Sequence, residues 1–230
     1  MIVHRIKRKL YKIAHPVVGE IWMLHRVVEH RSAKPEQRDL EATPEWLEHK
    51  INDYRANGWD FVPIDKLPKS GRWVCITFDD GYQDNYTLAY PMLKRLNVPF
   101  TVYVTTGFID NQLSMWWYKG EQIGLSTKEL KALDANPLCT IGAHTVSHPR
   151  LDTLTRGQQY QEISTSKQTL ESILGHEVCH FSFPHGAHND DTLTICRELG
   201  FKTIVQSWGG PLRRSEHPEV LPRINIKQSE

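Results

Sequence analysis

An apolar segment runs directly into two adjacent carboxylates and a glycine in the stretch Ile76-Thr77-Phe78-Asp79-Asp80-Gly81-Tyr82. The run from Val74 to Phe78 is short, apolar and β-rich, which predicts a strand buried on both faces. Burying an unpaired carboxylate is costly, so we expect both acids at the carboxyl end of this strand, where a cation and a water can reach them. The alternative is a helix cap, in which Asp80 or Asp84 accepts backbone hydrogen bonds at the start of the next helix.

Strand and helix patterns alternate along most of the chain. Strands are predicted at 20–27, 61–62, 74–78, 98–104, 139–143, 178–183, 203–205 and 224–226, and helices at 44–57, 86–96, 127–134, 155–174 and 191–199. Repeated units of this kind predict a parallel sheet, and about seven of them indicate an irregular, TIM-like (β/α) barrel. We expect residues 1–230 to form a single domain, in which the carboxyl ends of the strands share one face.

Composition indicates an ordinary globular surface and no nucleic-acid partner. The net charge is +1, and charges of both signs are interspersed. Four widely spaced cysteines without a paired motif, and an N-terminus without signal-peptide features, favour a cytoplasmic location. Residues 2–14 are basic, with apolar residues at helical spacing. We expect a helix there that packs on the domain or lies on the anionic inner membrane surface.

Two histidines follow another predicted strand, in the segment His144-Thr145-Val146-Ser147-His148. Their four-residue spacing places both imidazoles on one side of a helical turn or a tight loop. Two histidines and one carboxylate bind a divalent metal and leave a coordination position open, which is typical of catalytic sites. A histidine pair alone is more often a surface or packing feature, but its coincidence with an acid pair at another strand end favours the metal.

These residues resemble a known family, the polysaccharide deacetylases of carbohydrate esterase family four. Thr77-Phe78-Asp79-Asp80-Gly81 looks like its first motif and His144-Thr145-Val146-Ser147-His148 like its second, in the family's order. The opening Trp22-Met23-Leu24-His25-Arg26-Val27 and the closing Leu221-Pro222-Arg223-Ile224 resemble the circularly permuted branch that deacetylates poly-N-acetylglucosamine. The resemblance covers residue 20 to the end and implies an irregular (β/α) barrel.

The resemblance also implies a role for each motif residue. Asp79 would be the general base that takes the proton of a water. The ligands of a divalent metal, usually Zn²⁺, would be Asp80, His144 and His148. Such a metal lowers the pKa of bound water and polarises the acetyl carbonyl, as amide hydrolysis at neutral pH requires. The backbone N–H of His185 in the third motif would hold the developing oxyanion.

Two departures from the family pattern need replacements. The third motif is Ser182-Phe183-Pro184-His185-Gly186 and lacks the arginine that orients the catalytic aspartate. Arg223 is the candidate orienter, and the alternative is a surface arginine. The late motif that carries the general acid is absent, but in the permuted branch a histidine after the first strand takes this role. His25 is therefore the candidate acid, with a structural histidine as the alternative; weaker candidates are His185, His188 and His217.

Large aromatic residues in the predicted loop 107–124 indicate either a sugar-binding surface or a lid. Trp116 and Trp117 present rings that stack well on sugar faces, and they are the candidate substrate contacts in this loop. Tyr82 and Pro184, from the first and third motifs, are further candidate contacts. Trp208 lies near the place of a family motif that pairs tryptophan with aspartate, but the aspartate is absent.

The predicted function is that of a metal-dependent hydrolase that removes acetyl groups from N-acetylated amino sugars of a cell-surface glycan or its precursor. One alternative is a carbohydrate esterase acting on O-acetyl groups, because the same site hydrolyses esters. Another is a catalytically silent glycan-binding protein, suggested by Ser182, His185 and the absent late motif. Retention of Asp79 argues against it, since a binder needs no base.

Overall fold

A closed barrel of parallel strands forms the centre of the protein. The computed structural model describes residues 16–118, 121–214 and 218–228. The barrel strands are β1 (Val17–Leu24), β2 (Trp73–Phe78), β3 (Phe100–Val104), β4 (Cys139–Ala143), β5 (His180–Ser182), β6 (Thr203–Gly209) and β7 (Val220–Asn225). Each strand pairs in parallel with the next, and β7 pairs in parallel with β1 to close the ring. The prediction of a TIM-like (β/α) barrel of about seven units is confirmed.

Two short strands pair with barrel strands outside the closed ring. Asp60–Phe61 pairs in parallel with β2, and Leu212–Arg213 pairs antiparallel with β1. Arg26–Val27 pairs instead with Glu41–Ala42, in a separate two-stranded sheet. The predicted strand 20–27 is therefore two strands, because the chain leaves the barrel at His25 and pairs with a different segment.

The described residues form six α-helices, most of which cover the outer face of the barrel. They are α1 (Pro35–Arg38), α2 (Pro44–Ala56), α3 (Tyr90–Arg95), α4 (Thr127–Asp134), α5 (Arg156–Leu174) and α6 (Asp190–Glu198). Polar caps fix several ends: the Thr43 side chain accepts from the N–H of Trp46 at α2, and Thr155 forms the predicted capping box at α5. Gly175, in the left-handed region with φ +82°, ends α5.

The predicted helix 86–96 is interrupted near its start. Asn85–Ala89 forms a π-helical turn, in which the N–H of Tyr90 donates to the carbonyl of Asn85, and α3 follows. Pro91 has no N–H to donate to an earlier carbonyl, which explains why regular α-helical bonding does not run through this point. Ranges 16–118, 121–214 and 218–228 contain no helix with the length and hydropathy needed to cross a bilayer.

Alternation along β2 separates two layers of core. Val74, Ile76 and Phe78 belong to the larger cluster beneath the helices, whereas Trp73 and Cys75 belong to a smaller one inside the barrel. The same alternation directs Thr77 and Asp79 toward the interior at the upper end of the strand. Three of the four cysteines are buried, and all four are free thiols.

Several predictions concern features that the described residues do not test. The basic helix at 2–14 lies outside the described residues. Its contact with a membrane surface, the cytoplasmic location and the single-domain organisation of 1–230 stay predictions.

Gly19 in β1 offers a test of the barrel interior. A Cβ atom at Gly19 would lie 2.1 Å from the Trp73 ring, which is itself buried. We expect Gly19→Ala to lower the free energy of unfolding by about 1–3 kcal/mol through overpacking, measured by urea denaturation. Gly157→Ala in α5 is the control, because a Cβ there meets nothing within 4 Å. Equal urea midpoints for the two variants would contradict this packing.

Candidate active site

A cavity of about 650 Å³ opens at the carboxyl ends of the barrel strands. Its floor is formed by residues at or after the strand ends: Met23, His25, Asp79, Asp80, His144, His148, His185 and Ser207. Its walls come from the segments before α2 and α4: Glu36, Gln37, Leu40, Trp116 and Trp117. The structure thus brings the predicted acids and histidines to one place.

Three side chains at the cavity floor converge on a point. The ligand atoms of Asp80, His144 and His148 all lie within 4.8 Å of one another. Asp80 Oδ1 lies 3.4 Å from His144 Nε2 and 3.2 Å from His148 Nε2. Asp80 and His144 are buried, and His148 is nearly so.

The donor set fits a divalent cation. Among the described residues, the buried Asp80 Oδ1 has no hydrogen-bond partner, an arrangement that is costly unless a cation or water completes it. Burial raises the pKa of Asp80, but the neighbouring His148 and His144 outweigh that effect and hold the pKa well below its usual value. The carboxylate is therefore ionised and available as a ligand.

A second contact orients His144 toward that point. His144 Nδ1 lies 2.7 Å from the carbonyl oxygen of Ser182, an acceptor that places a hydrogen on Nδ1, and Nε2 faces Asp80. Metal-binding histidines commonly have such a partner on the second ring nitrogen. The third motif therefore supports the second through its backbone.

The segment from His144 to His148 is a tight loop and not a helical turn. Thr145 and His148 both have positive φ values, +67° and +60°. This left-handed backbone is strained for non-glycine residues and needs support from its surroundings. Glu162 from α5 supplies it, because its carboxylate accepts hydrogen bonds of 2.9 Å from the N–H groups of Val146 and Ser147.

Asp79 is held by Arg223 in a bidentate ion pair. Arg223 Nη1 donates to Asp79 Oδ1 at 2.7 Å and Nη2 to Oδ2 at 2.5 Å. The other three N–H groups of the guanidinium donate to Thr77 Oγ1, Ser182 Oγ and the carbonyl of Gln206. Arg223 is 1% exposed, so the surface-arginine alternative is wrong.

The ion pair fixes the charge on Asp79. Burial by itself raises the pKa of Asp79, but Arg223 and His144 outweigh it and keep the pKa below its usual value.

The helix-cap alternative for the acids is also wrong. Asp84 makes no cap hydrogen bond, and its carboxylate accepts instead from Arg26 Nε and the N–H of Val27.

The two candidate histidines beside the Asp80, His144 and His148 cluster differ in setting. His25 lines the cavity directly after β1. Burial lowers the pKa of His25 although the Asp80 and Asp79 carboxylates oppose it. His185, with φ +57°, places its ring 4.6 Å from the His148 ring, and desolvation together with His148 lowers the pKa of His185 to about 4.

Of the weaker candidates for the acid, His185 lines the cavity, whereas His188 does not. The His188 ring stacks on Phe183 at 4.4 Å, and His188 Nδ1 lies 2.9 Å from the carbonyl of Gly186, in the loop before α6. His217 lies outside the described residues.

The predicted substrate contacts divide into two groups. Trp116 is 63% exposed at the cavity wall, and Trp117 packs between it and the His148 ring, with centroids 5.1 and 4.9 Å away. Tyr82 and Pro184 do not reach the wall. Tyr82 is fully buried, and its hydroxyl accepts a 2.7 Å hydrogen bond from Trp117 Nε1, while Pro184 is buried beside His185.

A family profile described as polysaccharide deacetylase matches residues 66–204, which include both acids, both metal-facing histidines and the third motif. The chain belongs to the polysaccharide deacetylase family. The resemblance of the two motifs to this family is thereby confirmed.

Individual members of the polysaccharide deacetylase family are similar over most of the chain. YxkH of Bacillus subtilis (strain 168), whose name places it in this family, is 28% identical over 94% of this chain and 74% of its own length. Poly-beta-1,6-N-acetyl-D-glucosamine N-deacetylase of Staphylococcus aureus (strain NCTC 8325 / PS 47) is 27% identical over 70% of this chain. The match spans 56% of that enzyme.

Solved structures of two similar proteins share the fold. The deacetylase PplD of Streptococcus pyogenes, solved with acetate, superposes with a TM-score of 0.74 at 27% identity, covering 92% of this chain and 93% of PplD. IcaB from Ammonifex degensii has a TM-score of 0.77 at 22% identity, covering 92% of each chain.

The departure at the third motif has a structural explanation. Ser182 occupies the motif position where this polysaccharide deacetylase lacks the usual arginine, and the Arg223 guanidinium donates to Ser182 Oγ at 2.9 Å. The small hydroxyl thus accommodates and binds an arginine that arrives from β7. Sequence reasoning identified Arg223 but missed Ser182 as its acceptor, because no pattern links residues so far apart.

The buried pair predicts a large stability effect. Arg223→Met removes the cation and leaves Asp79 buried without compensation, so we expect a loss of about 3–5 kcal/mol in the free energy of unfolding. The measurement is chemical denaturation in the presence of a chelator, which excludes a metal contribution. Arg197→Met is the matched control, since Arg197 forms an equally short pair with Glu219 that is exposed, worth about 0–1 kcal/mol. Similar losses in both variants would refute the assignment.

Proposed function

We propose that this polysaccharide deacetylase domain is a metal-dependent N-deacetylase acting on N-acetylated amino sugars of a cell-surface glycan or its precursor. The observation that carries the proposal is the position of an ionised carboxylate, Asp79, beside three converging metal-ligand atoms in one open cavity. The similarity to the staphylococcal enzyme, whose name specifies poly-N-acetylglucosamine, supports the choice of sugar.

Zn²⁺ is the proposed metal. Two imidazole nitrogens and one carboxylate oxygen form a donor set that suits zinc, with Asp80, His144 and His148 as ligands. When bound, the cation supplies a Lewis acid for the acetyl carbonyl and lowers the pKa of a water. The residues around it position the substrate and move the protons.

Asp79 acts as the base in this proposal. Its carboxylate takes one proton of the attacking water as the water oxygen bonds to the acetyl carbon. Arg223 contacts both carboxylate oxygens and fixes their direction, so the base does not rotate away from the reacting atoms. The backbone N–H of His185 stabilises the negative charge that develops on the carbonyl oxygen.

His25 acts as the acid in this proposal. As the C–N bond breaks, the nitrogen takes a proton from His25, and the products are acetate and a free amino sugar. Because burial lowers the pKa of His25, the ring must take up a proton before it can donate one. The carboxylates of Asp79 and Asp80 favour that uptake.

The metal dependence is tested by two matched variants. The wild-type protein, loaded with Zn²⁺, is expected to release acetate from N-acetylglucosamine oligomers, and chelation should abolish release until metal is restored. His144→Ala is expected to lose metal, whereas Asp79→Asn should keep it and lower acetate release by about 100-fold or more. Metal content by elemental analysis and acetate by an enzymatic assay separate the two effects.

Two results would contradict the proposal. Faster release from O-acetylated than from N-acetylated sugars would indicate the carbohydrate esterase alternative. Sugar binding by the metal-loaded protein without acetate release from any acetylated substrate, unchanged in Asp79→Asn, would indicate the silent glycan-binding alternative.

Trp116 is proposed to bind the glycan through its exposed ring. Removing one sugar-stacking aromatic is expected to cost about 1 kcal/mol of binding, so Trp116→Ala should raise KM several-fold while kcat changes little. Tyr160→Ala, which removes a 43% exposed aromatic from α5, is the control and should leave KM unchanged. Equal KM values for Trp116→Ala and the wild type would contradict the role.

A further inference from the structure

The backbone ladder of the barrel ends immediately before His25. The last paired residues of β1 and β2 are Leu24 and Phe78, and one further hydrogen bond of 3.0 Å joins the N–H of Asp79 to the carbonyl of Leu24. Beyond this point the segments that follow β1 and β2 separate, because Arg26–Val27 pairs with Glu41–Ala42. His25 therefore lies in a connection where loop mobility would be expected.

Beyond the last backbone pair of β1 and β2, two side chains that follow the acid pair form hydrogen bonds with the segment around His25. Asn85 Nδ2 donates to the carbonyl of His25 at 2.8 Å. Asp84 Oδ1 accepts from the N–H of Val27 at 3.0 Å, and Oδ2 accepts from Arg26 Nε at 2.7 Å. The backbone on both sides of the His25 imidazole is thereby tied to the chain that carries Asp79 and Asp80.

Both of these side chains are buried. Asn85 is fully buried, and Asp84 is 8% exposed. Asn85 Oδ1 is buried without a hydrogen-bond partner among the described residues, so the hydrogen bonds of this side chain are made by its amide donor. The π-helical turn at Asn85–Ala89 is the local distortion at which Asn85 meets His25.

Through Arg26, the contacts of Asp84 also extend to the aromatic wall of the cavity. The Arg26 guanidinium, fixed by Asp84, lies 4.7 Å from the centre of the Tyr118 ring and 5.4 Å from that of Tyr82. Tyr82 in turn accepts the hydrogen bond from Trp117. One buried network therefore holds His25 and the tryptophan wall relative to the acid pair.

We infer that Asn85 and Asp84 are positioning residues for His25, holding its imidazole in the cavity that Asp79 also lines, so that one group takes a proton while the other gives one. This inference rests on the proposed function and on His25 as the acid. Asn85 acts through the backbone of His25 and touches no reacting atom. The chemical step is unchanged: water oxygen bonds to the acetyl carbon, the C–N bond breaks, and the nitrogen takes the proton from His25.

The choice of substrate distinguishes positioning from a structural role. Hydrolysis of an N-acetylglucosamine oligomer needs a proton on the leaving amine, whereas 4-nitrophenyl acetate releases a stable phenolate that needs none. Asn85→Leu removes the amide donor at similar size and adds no charge. We expect it to lower kcat on the oligomer by at least about 10-fold and to change ester turnover much less, with unchanged zinc content.

A double variant gives the sharper test. If Asn85 acts through His25, then Asn85→Leu in a His25→Ala background should cost nothing further on the oligomer, because effects of residues that act as a unit are not additive. Asp84→Asn, which keeps an acceptor for Val27 but loses the charge that holds Arg26, should give a smaller loss of the same kind. It also provides a second readout if Asn85→Leu folds poorly.

Asn136→Leu is the control for Asn85→Leu. Asn136→Leu removes an amide that donates to the Tyr90 hydroxyl at 3.0 Å, at the opposite end of the barrel from the cavity, and should leave the ratio of oligomer to ester turnover unchanged. Equal losses on both substrates in Asn85→Leu, or full additivity with His25→Ala, would overturn the inference alone. Absence of acetate release by the wild type would overturn the proposed function instead.

Discussion

The buried ion pair between Asp79 and Arg223 is the interaction on which the rest of the site depends. Each of the five N–H groups of the guanidinium has an acceptor, and these acceptors lie on β2, β5 and β6 as well as on Asp79 itself. A charge buried to this degree is tolerated only with such complete pairing. The pair therefore ties β7 to the acid pair at the end of β2, and it fixes the Asp79 carboxylate beside His144.

Several residues at the candidate site have strained backbone conformations. Asp80, Thr145, His148 and His185 all have positive φ values. Each departs from what a non-glycine residue prefers, and the cost is offset by stable surroundings such as Glu162 at the histidine loop. In this arrangement the barrel provides rigidity, and the loops after its strands provide direction, which is a division common to barrels of this type.

In this member of the polysaccharide deacetylase family an arginine contacts the first acid although the third motif contains none. Ser182 and Arg223 lie on different strands, β5 and β7, yet the two side chains meet at Asp79. A guanidinium needs only the right position and acceptors, and its origin along the chain is immaterial. The loss of the motif arginine is therefore weak evidence for a silent protein.

Local signals were sufficient for much of the architecture. The helix Thr127–Asp134 and the strand Cys139–Ala143 have the predicted bounds, because capping residues and β-rich apolar runs act over a few residues. The π-helical turn at Asn85–Ala89 and the split after Leu24 were missed, because each depends on a partner elsewhere in the fold. Boundaries set by tertiary pairing leave no local pattern.

The sequence by itself determined the barrel, the acid pair and the pairing of His144 with His148, since strand alternation and motif spacing are properties of short segments. Only the tertiary structure decided which side chains support them. Arg223 reaches Asp79 and Ser182, and Asn85 reaches His25, across separations of 41 to 144 residues. Such contacts exist only once the ring of strands has closed, because closure alone brings β1, β2, β5 and β7 to one cavity.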